Sequence, residues 1–224
     1  MSGYYDKSLS AERLKRVYDI APPRTKQYLK AELAHVLKTI RPDHIILELG
    51  CGYGRALIRF AEQAAVAVGI DTALQSLKYG DNLYRNASNC QFVCADATLL
   101  PFRDRIFDRV ICIQNGISAF NRDPVALIRE SLRVTKPDGI ALFSSYSEKF
   151  WKHRLEWFEA QSAAGLLGPI DYEKTHDGNI VCTDGFTATT FTPEKFLSLA
   201  SQFDVSAKIE EVDESSVFCE LEVL

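Results

Sequence analysis

Acidic and amide side chains recur at the ends of short apolar runs in this chain, and their order is what makes it chemically legible. Glu48 closes Ile45-Ile46-Leu47-Glu48-Leu49 and is followed by three alternate glycines, Gly50-Cys51-Gly52-Tyr53-Gly54. Asp71 and Thr72 follow the run ending Gly69-Ile70, Asp96 and Ala97 follow Cys94-Ala95, and Gln114-Asn115 closes a fourth run. Alternate glycines remove side chains where backbone must approach a ligand, and they permit a tight strand-to-helix reversal. The helix expected from Ala56 aims N–H groups and a positive dipole end at whatever sits above that turn. A carboxylate roughly twenty residues beyond such a turn is placed to accept hydrogen bonds from a ribose diol. A nucleoside-like ligand follows from these residues alone.

Two details separate this pattern from a dinucleotide site. The turn reads GxGxG behind an acidic residue, and Arg55 stands where the G-x-G-x-x-G fingerprint calls for continued glycine spacing. The third carboxylate, Asp96, is unnecessary for NAD but suits the exocyclic amine of an adenine.

The elements that must carry these residues alternate regularly. Strands are expected from Ile45, over Val66–Ile70, Cys90–Ala95, Ile106–Gln114 and Ile140–Tyr146. Helices are expected to about Ala64, from about Thr72 to Arg85 and over Pro124–Val134, with a turn at Lys136-Pro137-Asp138-Gly139. Apolar runs of this length alternating with helices imply a parallel sheet buried on both faces, a doubly wound Rossmann-like α/β fold. Before it come a short segment around Ser10–Val17, too polar for core, and a helical stripe over Thr25–Ile40 behind Pro22-Pro23. Together, residues 1–40 read as an N-terminal helical cap. After it, residues 147–190 read as an inserted lid or substrate segment, aromatic at first (Phe150, Trp151, Trp157, Phe158) and then rich in Gly, Thr and Asp. Thr192-Pro193 caps a helix to about Phe203, and period-two alternation around Asp213-Glu214-Ser215 gives an antiparallel hairpin. The 224 residues are thus expected to form a single domain.

Composition excludes several function classes. The 46% hydrophobic and 25% charged residues are those of an ordinary globular chain. A formal net charge of −4 offers no basic footprint for nucleic acid. No apolar run approaches the roughly 18 residues of a membrane span, and the start has no signal-peptide pattern, so a cytoplasmic protein without membrane attachment is expected. The six cysteines form no CxxC pair. They read as reduced thiols acting as small core residues, with no metal site; Cys90 and Cys94 share one strand face without closing around an ion.

Taken together, Glu48-Leu-Gly-Cys-Gly-Tyr-Gly54, Asp71, Asp96-Ala97, Phe107-Asp108-Arg-Val-Ile-Cys and Leu132-Arg-Val-Thr-Lys-Pro-Asp-Gly139 resemble, in order and spacing, the motifs of class I S-adenosylmethionine-dependent methyltransferases of the small-molecule type. The resemblance covers roughly residues 40–146. It implies a seven-stranded sheet, mostly parallel, whose C-terminal hairpin supplies the antiparallel strand, with helices on both faces. It implies S-adenosyl-L-methionine as cofactor, bound through Glu48, Gly50, Cys51, Gly52, Gly54, Asp71, Thr72, Asp96, Ala97 and Gln114. In that assignment the glycine backbone and Glu48 serve the methionine part, Asp71 the ribose and Asp96 the adenine amine. The lid is usually built in this family from the two flanking segments, so Tyr4, Tyr5, Tyr18, His153 and His176 are the candidates for a catalytic base. The segment after strand four lacks the Asn-Pro-Pro-aromatic signature of many amide and adenine methylating enzymes, and Asp138 stands where the family often has glycine. The expected acceptor is a small molecule, handled by a monomer or homodimer. Two other readings remain open: a cofactor-binding module without turnover, and an NAD-dependent oxidoreductase.

Overall fold

The computed structural model describes residues 9–224. Its first elements are helices α1 (Glu12–Asp19) and α2 (Pro23–Leu37), separated by the proline pair, with Pro23 in the first turn where its missing N–H costs nothing. Next come β1 (Ile45–Leu49), α3 (Leu57–Ala61), β2 (Val66–Asp71), α4 (Leu74–Leu83), β3 (Cys90–Cys94) and β4 (Phe107–Cys112). They are followed by α5 (Gly116–Ala119), α6 (Pro124–Val134) and β5 (Thr135–Tyr146), then by α7 (Trp151–Ala163) behind a single 3-10 turn. The chain ends with β6 (Ile180–Val181), β7 (Thr187–Ala188), α8 (Pro193–Ala200), β8 (Val205–Val212) and β9 (Ser216–Val223).

Seven strands form one sheet in the order β3-β2-β1-β4-β5-β9-β8. Strands β1 to β5 run parallel, and β9 is antiparallel to both β5 and β8. The order reverses between β1 and β4, leaving a crevice beyond their carboxyl ends. The doubly wound sheet with a terminal hairpin is therefore as the alternation demands. One sheet face is packed by Phe107, Val110, Ile128, Phe143 and Phe196, the other by Ile46, Leu57, Phe60, Leu142 and Phe218.

Several boundaries differ, each for a local reason. The helix after the glycines is regular only over Leu57–Ala61, because left-handed glycines at 50, 52 and 54 hold the preceding stretch in turns. The turn expected at residues 136–139 is absorbed into β5: pairing passes from Phe107↔Thr135 to Arg109↔Ile140, so the extra residues bulge out, with Asp138 left-handed at φ 61°. α5 was not legible, being four residues long. Neither were β6 and β7, since two-residue strands leave no periodicity to detect.

The Ser10–Val17 stretch is not merely polar surface. Leu9 and Val17 are buried in a third apolar cluster with Tyr28, Tyr146, Phe150, Trp157, Phe158, Leu166 and Phe186. A fully buried side chain of this kind contributes about 1.5–3 kcal/mol. The few apolar residues of α1 therefore suffice to hold a polar helix against α7. The N-terminal helices and the 147–190 segment meet in one cluster, over the mouth of the crevice.

All six cysteines are free, but only Cys51, Cys112, Cys182 and Cys219 are buried. Cys90 is half-buried and Cys94 exposed, because β3 is an edge strand. No helix among the described residues is long and apolar enough to cross a membrane.

Candidate active site

A cavity of about 370 Å³ opens at the carboxyl ends of the central strands. Its lining includes Glu48, Gly50, Cys51, Gly52, Asp71, Thr72, Asp96, Ala97, Gln114 and Tyr18, so ten residues singled out from sequence converge on one space. Gly54 does not line it. A Cβ there would lie 2.6 Å from the Phe92 ring, so this glycine serves the packing of the turn on β3.

The geometry follows from the sheet. Parallel pairing of Leu49 with Ile70 sets the glycine turn beside the end of β2, and Cys51 N–H donates to Ile70 O at 2.9 Å. Asp71 completes that junction: its carboxylate accepts from Gly52 N–H and from Ala73 N–H, each at 2.8 Å. One carboxylate thus orders the turn and the start of α4 while facing the cavity. The glycine faces are covered by apolar groups from elsewhere. A Cβ on Gly52 would meet Leu14 of α1 at 2.8 Å, and one on Gly50 would meet Phe120 at 2.5 Å.

Glu48 sits on the central strand between Gly69 and Ile111 and is 5% exposed. Burial lifts its carboxyl to about 8, against the opposing pull of Arg55 and with a further push from Asp71. Its Oε2 has no hydrogen-bond partner among the described residues. Nor have Nε and Nη2 of Arg55, whose guanidinium stacks 4.5 Å from the Tyr18 ring centre. An orphaned buried acceptor beside orphaned donors marks a place for ligand groups. Burial also raises the Tyr18 hydroxyl above its ordinary value, so it stays protonated at neutral pH.

At the other end, burial works against ionisation of Asp96, but the Thr98 N–H and hydroxyl and the Arg122 guanidinium at 2.9 Å outweigh it. The carboxyl is held below the usual range. Gln114, just beyond β4, lines the cavity, and it and Asn115 behind it are both left-handed, at φ 57° and 61°. The conformation is secured by hydroxyls: Gln114 N–H donates to Ser144 Oγ at 3.0 Å and Ser145 Oγ donates to Asn115 Oδ1 at 2.7 Å.

The histidine candidates are not brought to this space. His153 lies on α7 facing Glu156 at 3.5 Å, and His176 is 63% exposed and pairs with Asp177 at 2.9 Å. Neither lines the cavity. Tyr4 and Tyr5 lie outside the described residues. Sequence reasoning missed Arg55, read there only as an absent glycine, and Leu9, Leu14, Phe120 and Arg122, all of which line the cavity. A basic residue directly after the turn, seven positions from a buried acid, was the available signal for Arg55. A separate group, His35, Glu210 and Glu220, brings three ligand-type atoms within 4.8 Å of one another. Lys208 already pairs with both of its carboxylates.

Residues 46–139 match the model of a family described as a methyltransferase domain. The malonyl-[acyl-carrier protein] O-methyltransferase of Marinomonas sp. (strain MWYL1) is 32% identical over 142 residues, 61% of this chain and 50% of that protein. A demethylmenaquinone methyltransferase of Renibacterium salmoninarum is 34% identical over 106 residues, 47% of this chain and 43% of that protein. The chain spans about half the length of these curated relatives. Among solved structures, a protein of Pyrococcus horikoshii OT3 superposes with a TM-score of 0.69 at 19% identity, each chain fully covered. The magnesium protoporphyrin IX methyltransferase of Synechocystis PCC 6803, solved with bound S-adenosylhomocysteine, gives 0.66 at 15% identity, covering 99% of this chain and 97% of that one. These two show the fold. The ordered motifs, the strand order and the family match agree: residues 46–139 are similar to a methyltransferase domain, and the chain shares the fold of these solved structures.

Proposed function

We propose that this chain transfers a methyl group from S-adenosyl-L-methionine to a small-molecule acceptor. The observation that carries the reading is the convergence of Glu48, Asp71, Asp96 and Gln114 on one cavity at the point where strand order reverses. The residues fit the cofactor. Glu48, with its unpartnered buried oxygen, suits the methionyl ammonium; Asp71 suits the ribose diol, Asp96 the adenine amine, and the side-chain-free edge of Gly50 and Gly52 the methionyl backbone. When bound, the cofactor supplies an activated methyl group, so the protein's task is positioning and exclusion of water. Leu9, Leu14 and Tyr18 from the N-terminal cap supply that cover, and the 147–190 segment supports them. Tyr18, held protonated, is suited to donate a hydrogen bond or to pack rather than to take a proton.

The cavity of about 370 Å³ is near the low end of the range that encloses one drug-sized ligand, and the cofactor is assigned to it. A small acceptor is favoured by the net charge of −4, which offers no basic footprint for a nucleic acid. Relatives whose names specify small acceptors, such as demethylmenaquinone, agree with this in kind. The test is thermal: S-adenosylhomocysteine should raise the melting temperature while NADH leaves it unchanged, and acceptor-dependent release of S-adenosylhomocysteine from a metabolite panel should follow. Stabilisation by NADH alone would overturn the reading. Binding of S-adenosylhomocysteine with no turnover on any acceptor would instead favour a cofactor-binding module.

A further inference from the structure

Glu32 lies on α2, outside every motif of the site, and is completely buried. Its Oε1 accepts from Ser144 Oγ at 2.6 Å and from Ser216 Oγ at 3.2 Å. Its Oε2 has no hydrogen-bond partner among the described residues, and the hydroxyl of Tyr28, one helical turn earlier on the same face, has none either. A carboxyl buried in this way is costly unless the structure uses it.

Its use lies on the far side of Ser144. The hydroxyl oxygen that Glu32 engages is the one that accepts the backbone N–H of Gln114. Gln114 and Asn115 are consecutive non-glycine residues in the left-handed region, a state that persists only where the surroundings over-determine it. Ser144 has a single proton to place. An ionised carboxylate can only accept, so it draws that proton to Oε1 and leaves an oxygen lone pair for Gln114. A protonated Glu32 can itself donate to Ser144 and removes this fixed direction.

We propose that Glu32 is a positioning residue of the methyl-transfer site: through Ser144 it fixes the left-handed backbone at Gln114, which lines the cavity, and its ionisation tunes ligand binding there. This rests on the methyl-transfer reading of the cavity. The titratable, charged and hydroxyl groups facing Glu32 come from every element around it: Tyr28 on α2, Ser144 and Tyr146 on β5, Ser216 on β9, Arg55 after the glycine turn, Tyr18 on α1 and Cys112 on β4. Arg55 is the one cation in this set, and it lines the cavity, so the charge on Glu32 is also felt there directly. Burial outweighs these favourable partners and brings the carboxyl to about 7, within the working range of pH.

The test compares wild type with Glu32→Gln, Ser144→Ala and the double variant, each checked for a cooperative melt. Calorimetric affinity for S-adenosylhomocysteine is measured from pH 5.5 to 8.5. The wild type should gain affinity with rising pH by the worth of about one hydrogen bond, about two- to tenfold. Glu32→Gln keeps an oxygen for Ser144 but cannot ionise, so the step near pH 7 should vanish and only the dependence contributed by Glu48, centred about pH 8, should remain. Ser144→Ala should remove the step near neutral pH too, the double variant should match Ser144→Ala, and Ser144→Thr should restore it. The amide resonance of Gln114 in isotope-labelled, ligand-free protein gives a second readout, which should titrate near neutral pH in wild type and stay flat in Glu32→Gln. A Gln114 amide insensitive to pH, or one whose titration survives in Glu32→Gln, overturns the proposal. Failure of wild type to bind S-adenosylhomocysteine at any pH, with the amide still titrating through Glu32, would instead sink the methyl-transfer reading and leave the relay standing.

Discussion

Glu48 makes a prediction whose sign is opposite for stability and for binding. Its carboxyl rises from an ordinary value of 4.5 to about 8 because the folded chain buries it. Below about pH 4.5 the group is neutral in both the folded and the unfolded chain, and its environment has no effect on stability. As pH rises, the unfolded chain loses the proton first while the folded chain keeps it, so folding binds a proton and stability falls. The loss is complete once pH passes the folded value of about 8. The gap between 4.5 and 8, at about 1.36 kcal/mol per pH unit, amounts to roughly 5 kcal/mol. Glu48→Gln conserves the shape and cannot ionise. Urea denaturation at pH 5, 6.5 and 8 should therefore find the variant close to wild type at pH 5 and several kcal/mol more stable at pH 8. Burial of Glu32 acts in the same direction in both proteins and cancels from the difference. In the same samples the variant should bind S-adenosylhomocysteine more weakly, having lost a carboxylate facing the cavity. A stability difference that is constant with pH, or a variant less stable than wild type at pH 8, would refute the argument that Glu48 is a buried acid kept for a ligand.

Three further substitutions probe the rest of the site. Asp71→Asn should abolish measurable S-adenosylhomocysteine binding and also lower stability by about 1–3 kcal/mol, since the same carboxylate accepts from Gly52 N–H and Ala73 N–H; calorimetry and denaturation measure the two losses separately. Trp157→Phe removes the indole N–H that donates to Val17 O at 3.0 Å and leaves a buried carbonyl unpaired. A cost of about 1–3 kcal/mol, faster hydrogen exchange over residues 12–19 and faster release of bound S-adenosylhomocysteine are expected. Arg154 is 1% exposed and donates to Gly178 O, Thr190 Oγ1 and Ala188 O from among the rings of Tyr146, Trp151 and Phe158. Arg154→Leu should cost about 3 kcal/mol or more and expose residues 178–190 to limited proteolysis, with the sheet still folded.

The convergence of the strand-end residues on one cavity was legible because their pattern is local in sequence. Glu48, the glycines, Asp71, Asp96 and Gln114 each sit where a strand ends, and a parallel sheet brings all such ends to one edge. Nothing beyond strand order was needed to place them together. Arg55 was misread for the same reason, as a deviation from a glycine motif rather than as a side chain with its own target. The polar segment around α1 was read from its composition, and composition does not show that Leu9, Val17 and Tyr18 pack into one cluster with Trp157 and Phe158.

The surroundings of Glu32 and Arg154 were illegible because their residues share a location but no pattern. Glu32 occupies an ordinary position on a helical stripe, and only the meeting of α2 with the starts of β9 and the end of β5 shows that its carboxyl reaches Ser144 and Ser216. Arg154 reads as a charged face residue of α7, yet it is the bulkiest fully buried side chain among the described residues. In both cases a charged residue at a helical position is buried by elements more than twenty residues distant, and two or more hydrogen-bonding groups from those elements converge on it. The two histidines show the converse. They were chosen for chemical type within these segments, but neither lines the cavity: His153 sits on α7 near Glu156, and His176 is in an exposed loop before β6. Residue type selects what can do chemistry, and burial selects what does. The groups that specify the acceptor are therefore to be sought among the enclosed polar side chains of α2, α7 and the Gln114–Asn115 turn.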